Sequence, residues 1–195
     1  KGNKVAMILP NLPQTVIANL AVWRVGAALV LVNPLYTERE LTYILDDSDA
    51  VMVITMAMLV PRIKSVMPRT KVRRIVGCQI NDYLPFPKKQ LFPFVKKDMY
   101  AKLETDEGVL SFMELMKKSS PGAVEDESAW EELSTLIYTG GTTGTSKGVM
   151  LSHANISCNT QQWCAWIPSL KDGAEAGVGT FPIFHAAGFT AIQNH

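Results

Sequence analysis

Short apolar runs of strand length recur through the first eighty residues, separated by stretches of helical length, and this alternation restricts the fold more than any other feature. Residues 4–9 are such a run, punctuated by Asn11, Leu12 and Pro13. Residues 14–25 follow, apolar nearly all round with Asn19 and Arg24 among the few interruptions, as for a helix buried on a sheet. Gly26 ends it, and residues 28–32 form a second run closed by Asn33 and Pro34. Thr37 and Glu40 then make a capping box, each side chain satisfying a free backbone N–H of the next helix. Leu41, Ile44 and Leu45 give that helix an apolar face, and Asp46, Asp47, Ser48 and Asp49 stop it before a run at 50–54. A helix near 59–67 and a strand near 72–77 continue the series. Strands alternating with helices predict parallel βαβ units, hence a layered α/β fold with a mostly parallel sheet.

Residues 79–130 break the pattern. Pro85, Pro87 and Pro93 sit among Tyr83, Phe86, Phe92 and Phe94, interleaved with Lys88, Lys89, Lys96 and Lys97. A short helix near 111–118 opens on a second capping box, Ser111 with Glu114, and Pro121, Gly122, Glu125, Asp126 and Glu127 read as a linker. The expectation is a surface excursion whose aromatics pack down while its lysines stay in water. The alternative is a basic, aromatic surface for a membrane or for lipid entry.

The densest chemical signal begins at residue 133. A β-prone run over 133–138 delivers the chain into Thr139, Gly140, Gly141, Thr142, Thr143, Gly144, Thr145, Ser146, Lys147 and Gly148. Glycines let backbone N–H groups converge on an anion and permit positive φ. The five hydroxyls add donors to phosphate oxygens, and Lys147 adds a point charge. A Walker loop is excluded, because that motif places Lys-Ser/Thr at a helix start, whereas Gly148, Val149, Met150 and Leu151 look extended. A dinucleotide fingerprint is excluded because Gly140 and Gly141 are adjacent. A plain two-residue hairpin would not need so long a loop.

Tyr138 to Gly148 resembles the phosphate-binding signature of adenylate-forming (AMP-binding) enzymes: acyl-CoA synthetases, luciferases and peptide-synthetase adenylation domains. Val25, Gly26, Ala27 and the stretch from Asn33 to Leu41 are similar to the region upstream of that signature in fatty acyl-CoA ligases. Asp82 to Pro87 is similar to an insertion in bacterial long-chain members. Ser152, His153, Ala154 and Asn155, and then Phe181, Pro182, Ile183, Phe184 and His185, resemble the two stretches that follow the loop. Many members have Ser where Gly141 stands and Pro where Ser146 stands.

The resemblance implies ATP-dependent activation of a long-chain fatty acid to acyl-AMP, then transfer to coenzyme A, with ATP, Mg2+ and coenzyme A as cofactor and substrates. It implies that Thr139, Gly140, Gly141, Thr142, Thr143, Gly144, Thr145 and Lys147 hold the β- and γ-phosphates. It further implies that the Thr139 hydroxyl serves Mg2+ and that His185 lines the acyl and nucleotide pockets. No catalytic residue is assigned, because the family's adenine motif, magnesium glutamate, ribose aspartate and adenylation lysine are not found. The chain is expected to be the first part of the large N-terminal domain, with residues 79–130 inserted in it and the mobile C-terminal domain absent. Lys1 opens straight into a strand-like run and His195 stands in an apolar context, which fits a piece of a larger protein. Alone, the piece is expected not to turn over. Alternatives are a medium-chain or aryl acyl-CoA ligase and a non-catalytic nucleotide-binding module.

Composition narrows the partners. Nineteen basic against eighteen acidic residues give a net charge of +1, which offers no bulk attraction to nucleic acid. No run approaches the ~20 apolar residues that span a bilayer, and the start lacks a signal-peptide profile. Cys78, Cys158 and Cys164 form no CxxC pair, which disfavours a disulfide framework or zinc site and suits small buried hydrophobes in a reducing compartment. A cytoplasmic location is expected, with peripheral contact at the inner membrane face left open. His153 is expected to begin a helix over 154–167 in a structural role, with Trp163 and Trp166 in the core. His185 is expected on a loop after a strand at 178–181.

Overall fold

The structure is a computed structural model that describes residues 1–120, 122, 125, 128–139, 145–169, 173, 174 and 177–194. The strands are β1 (Lys4–Ile8), β2 (Ala28–Leu31), β3 (Ala50–Met56), β4 (Arg74–Cys78), β5 (Val109–Ser111), β6 (Leu133–Thr139) and β7 (Lys147–Ser152). The helices are α1 (Pro13–Arg24), α2 (Glu38–Asp47), α3 (Val60–Val66), α4 (Lys88–Val95), α5 (Phe112–Lys118), α6 (His153–Trp166) and α7 (Ala186–Gly188). One sheet takes the order β5-β4-β3-β1-β2-β6-β7, parallel throughout except for the antiparallel β6–β7 pair.

The inner strands β1 to β3 read as nearly continuous apolar runs because both sheet faces are covered there. Side chains alternate across the sheet: Ala6, Ile8, Val30, Val53, Ile75 and Leu136 face one layer, with Leu41, Ile44 and Leu45 of α2 and Ile63 and Val66 of α3. Val5, Met7, Leu29, Leu31, Ile54, Val76 and Ile137 face the other, with Ala18 and Val22 of α1 and Phe112 of α5. The chain after β1 therefore leaves to one face and the chain after β2 to the other. That divergence opens a crevice at the carboxyl ends of two adjacent strands, where open α/β sheets bind ligands.

The Thr37–Glu40 capping box is present: Thr37 N–H donates to Glu40 Oε2 at 2.8 Å and Glu40 N–H to Thr37 Oγ1 at 3.4 Å. α2 stops where Asp49 adopts φ 56°, a left-handed residue that ends a helix. At Ser111 only half of a box forms. Ser111 Oγ accepts from Glu114 N–H at 3.4 Å, while the Glu114 carboxylate reaches toward Lys118 at 3.9 Å.

Several expectations are corrected. Residues 79–130 are not wholly outside the sheet, because β5 pairs with β4 as its edge. α4 forms despite Pro93, which cannot donate to the Lys89 carbonyl one turn back. Asn81 Nδ2 donates to that carbonyl at 3.0 Å instead. Most of the aromatics there do not pack down: Tyr83, Phe86 and Phe94 are exposed, and Phe92 is half-buried. Residues 178–181 form no strand. Their backbone is held by a side chain, Asn11, whose Nδ2 donates to the carbonyls of Gly179 at 3.2 Å and Phe181 at 2.8 Å. Trp166 is 86% exposed and Trp163 is also exposed, so neither lies in the core; α6 buries no residue. Cys78 alone is buried, and Cys158 and Cys164 are exposed on α6. Burial pushes the Cys78 thiol up to about 12, with the Asp82 carboxylate adding to it, so it stays protonated. Among the described residues no helix is long and apolar enough to cross a membrane.

Candidate functional site

β6 runs parallel to β2 with Leu31 beside Ile137, so its last residue, Thr139, stands at the carboxyl edge of the sheet. The chain returns as β7, whose first residue, Lys147, pairs with Thr139. A hydroxyl-bearing and an ammonium-bearing side chain, both exposed, thus face each other across the last rung of a hairpin. Ser146 Oγ donates to the Thr139 carbonyl at 2.8 Å and closes the neck. Thr145 is exposed beside it. Gly140, Gly141, Thr142, Thr143 and Gly144 lie outside the described residues.

The neck is strapped to α2 by two tyrosines. Tyr138 Oη donates to Asp47 Oδ2 at 2.6 Å, and Tyr43 Oη donates to the Ser146 carbonyl at 2.9 Å. Their rings meet edge to face at 6.5 Å. Burial, then the Asp47 carboxylate, pushes the Tyr138 phenol well above the ordinary tyrosine range. Gly148 completes this arrangement by absence of a side chain, since a Cβ there would meet the Tyr138 ring at 3.1 Å. Neither tyrosine contact nor Asp47 announces itself in the sequence, because all three depend on α2 crossing beside β6.

Between the first turns of α2 and the neck lies an open cleft of about 630 Å3, lined by Tyr36, Thr37, Arg39, Glu40, Tyr43, Ile44, Thr145 and Ser146. Its volume suits a small-molecule ligand of drug size. Arg39 brings a cation to it, while the Glu40 carboxyl is held below its ordinary range by its hydrogen bonds to Thr37.

His185 stands apart from the hairpin, exposed, as the N-cap of α7, its Nδ1 accepting from Ala187 N–H at 3.3 Å. Asn11, at the carboxyl end of β1, holds the segment leading to it: beyond the two carbonyls, Asn11 Oδ1 accepts from Ile183 N–H at 2.8 Å. Gly188 permits the fold-back, because a Cβ there would overlap the Pro182 carbonyl oxygen. The loop neck and the His185 segment therefore rise from the same edge of the sheet. Asn11 looked only like turn punctuation, and no spacing pointed to its partners. His153 is the first residue of α6, capped by Ser152, and packs edge-on against Trp23 at 6.2 Å, in keeping with a structural role.

Mg2+ accepts oxygen ligands and keeps several waters. The exposed Thr139 hydroxyl is a ligand of that type. No group of three or more His, Cys, Asp or Glu converges among the described residues, so Thr139 is the described residue whose oxygen suits such an ion at the hairpin neck.

Comparison with known proteins agrees with this architecture. The family described as AMP-binding enzyme matches residues 1–194. A long-chain-fatty-acid–CoA ligase of Bacillus subtilis is 39% identical over all of this chain and 35% of its own length. One from Yersinia pestis is 34% identical over 97% of this chain and 34% of its own length. The crystal structure of a long-chain-fatty-acid-CoA ligase from Archaeoglobus fulgidus superposes with TM-score 0.77 at 30% identity, covering all of this chain and 33% of that one. ATP-bound MatB from Rhodopseudomonas palustris shares the fold at TM-score 0.74 and 22% identity, over 99% of this chain and 33% of its own. The chain spans about a third of the length of the curated relatives it matches.

Proposed function

The chain belongs to the AMP-binding enzyme family, and from that premise we propose that it supplies the phosphate-gripping part of a long-chain fatty acid–CoA ligase. It is the first portion of the large N-terminal domain, with residues 79–130 forming an excursion that still contributes β5 and the core residue Phe112 to the sheet layers. The reaction activates a fatty carboxylate with ATP to acyl-AMP and then transfers the acyl group to coenzyme A. A carboxylate resists direct acylation because its leaving group would be oxide, and activation brings two anions together. Neutralising and orienting them is the main demand on the protein.

The observation that carries the reading is the Thr139–Lys147 rung at the carboxyl edge, beside a cleft of about 630 Å3. Lys147 places positive charge where the departing pyrophosphate sits, and the hydroxyls of Thr139, Thr142, Thr143 and Thr145 orient its oxygens. The resemblance assigns the backbone N–H groups of Gly140, Gly141 and Gly144, which lie outside the described residues, to the same phosphates. The Tyr43 and Ser146 hydrogen bonds fix the neck, so that less order is imposed when the nucleotide binds. His185 borders the acyl and nucleotide space. Mg2+, when bound, neutralises phosphate charge, with Thr139 as its ligand from this chain.

Calorimetric titration of ATP into the chain tests the grip. Lys147→Ala is expected to weaken binding by about tenfold or more, the scale of one charge-assisted contact; unchanged affinity would remove the phosphate assignment. Pyrophosphate exchange by the full-length protein across carboxylates of increasing length tests the substrate class. Exchange is expected to be strongest with long-chain acids, and preference for aryl or medium-chain acids would reassign it. The 195-residue chain alone is expected to form no acyl-CoA, since it spans about a third of the length of the ligases it matches.

A further inference from the structure

After β4 the chain leaves the carboxyl edge of the sheet, and residues 83–97 carry Lys88, Lys89, Lys96 and Lys97 with no carboxylate, in a chain of net charge +1. α4, inside this stretch, buries none of its eight residues. Leu91, Phe94 and Val95 stand at i, i+3 and i+4, which places them on one face, and Phe94 is 74% and Val95 71% exposed. Phe86, 83% exposed, precedes the helix cap Pro87, so it and Leu91 occupy the two positions of a hydrophobic staple. The other side of the helix is turned inward. Phe92 is half-buried, and Lys89 Nζ donates to the Asp82 carbonyl at 2.7 Å.

The excursion is fixed at its base. Gln79 N–H donates to Asp82 Oδ2 at 2.8 Å, Gln79 Nε2 to the Ala101 carbonyl at 2.7 Å, and the buried Gln14 Nε2 to the Gln79 carbonyl at 2.8 Å. With Asn81 holding the Lys89 carbonyl, the aromatic side chains are presented outward by a braced turn. A contiguous apolar face on water marks an interaction surface. Four lysines flank it and outnumber the two bordering carboxylates, Asp82 and Asp98, which favours a negatively charged and apolar partner, the combination offered by anionic headgroups over acyl chains.

We propose that the face made by Leu91, Phe94 and Val95, with Phe86 at its head and Lys88, Lys96 and Lys97 around it, docks the protein onto an anionic lipid bilayer. Docking of this face requires nothing of the phosphate loop. It is read by co-sedimentation of the chain with phosphatidylcholine vesicles containing phosphatidylglycerol and with phosphatidylcholine vesicles alone. Binding to the anionic vesicles is expected, at least about tenfold stronger than to neutral ones and weakening as salt is added. The pairs Phe94→Ser with Val95→Ser, and Lys96→Gln with Lys97→Gln, are each expected to reduce partitioning by about tenfold or more. Neither pair should move the unfolding midpoint, because all four side chains are exposed. Trp166→Ala, which removes an exposed aromatic on α6, should leave vesicle binding intact. Equal affinity for neutral vesicles, binding that survives both pairs, or binding lost through Trp166 instead would overturn the assignment. So would self-association abolished by the same substitutions without vesicle binding, which would make a second copy the occupant.

Discussion

Tyr138 joins the strand to the chemistry: its ring lies over Gly148 on the neighbouring strand, and its hydroxyl reaches Asp47 at the end of α2. Tyr138→Phe keeps the ring and removes the donor, leaving the Asp47 carboxylate with one partner fewer. The expected cost is about 0.5–1.5 kcal/mol in urea unfolding, the net worth of one such bond. The pH dependence has a definite sign. Burial and the carboxylate raise the phenol's pKa in the folded state, so its contribution is fully present below the ordinary tyrosine value of about 10 and is lost as pH rises above it. The stability gap between parent and variant should therefore hold constant across neutral and mildly alkaline pH and shrink only beyond about pH 10. A gap that closes near neutrality would mean that the contact does not carry the effect.

α2 shows at the level of an element what the sequence disclosed and what it withheld. Its start is written in Thr37 and Glu40, its core face in Leu41, Ile44 and Leu45, and all five behave as read. Thr37→Ala is expected to cost about 1 kcal/mol, with the loss located in α2 by slowed recovery of amide protection there. Glu40, held low by Thr37, contributes above the ordinary glutamate value and loses that contribution on acidification below about pH 4. The same helix also carries Tyr43 to the Ser146 carbonyl, a contact between positions 103 apart in the chain that no periodicity encodes. Elements announced by period, such as β1 to β4, were legible because both faces of each strand are apolar. β5 was not, being three residues long, and α4 was hidden by its prolines until Asn81 supplied the hydrogen bond that Pro93 lacks. Residues 178–181 looked like a strand because they are short and β-prone, yet the Gly179 and Phe181 carbonyls go to one asparagine. The phosphate loop itself was legible from composition, since glycines and hydroxyls bind anions by local chemistry, whereas its bracing rests on tertiary contacts.

At the scale of the molecule, the site depends on joining the beginning of the chain to its end. Asn11 follows the first strand and makes three hydrogen bonds to the segment 179–183, and Asn19 Nδ2 of α1 donates to Gln193 Oε1 at 2.5 Å. Phe189, buried, stacks edge-on with Trp23 at 5.8 Å and supplies the apolar part of the same junction. These contacts hold the His185 segment against the carboxyl edge from which the phosphate loop rises, although 46 positions separate Thr139 from His185 in the sequence. Asn11 is exposed and outside the core, so Asn11→Ala should leave global unfolding almost unchanged while releasing the segment it grips. Three bonds of about 0.5–1 kcal/mol each, two of them exposed, predict faster exchange of the amides of Gly179, Thr180, Phe181 and Ile183 by roughly ten- to a hundredfold. Amides of β1 and β3, deep in the sheet, should keep their protection. Equal acceleration in both regions would show that Asn11 supports the whole sheet, and no acceleration at 179–183 would show that Phe189 and Gln193 hold the junction without it.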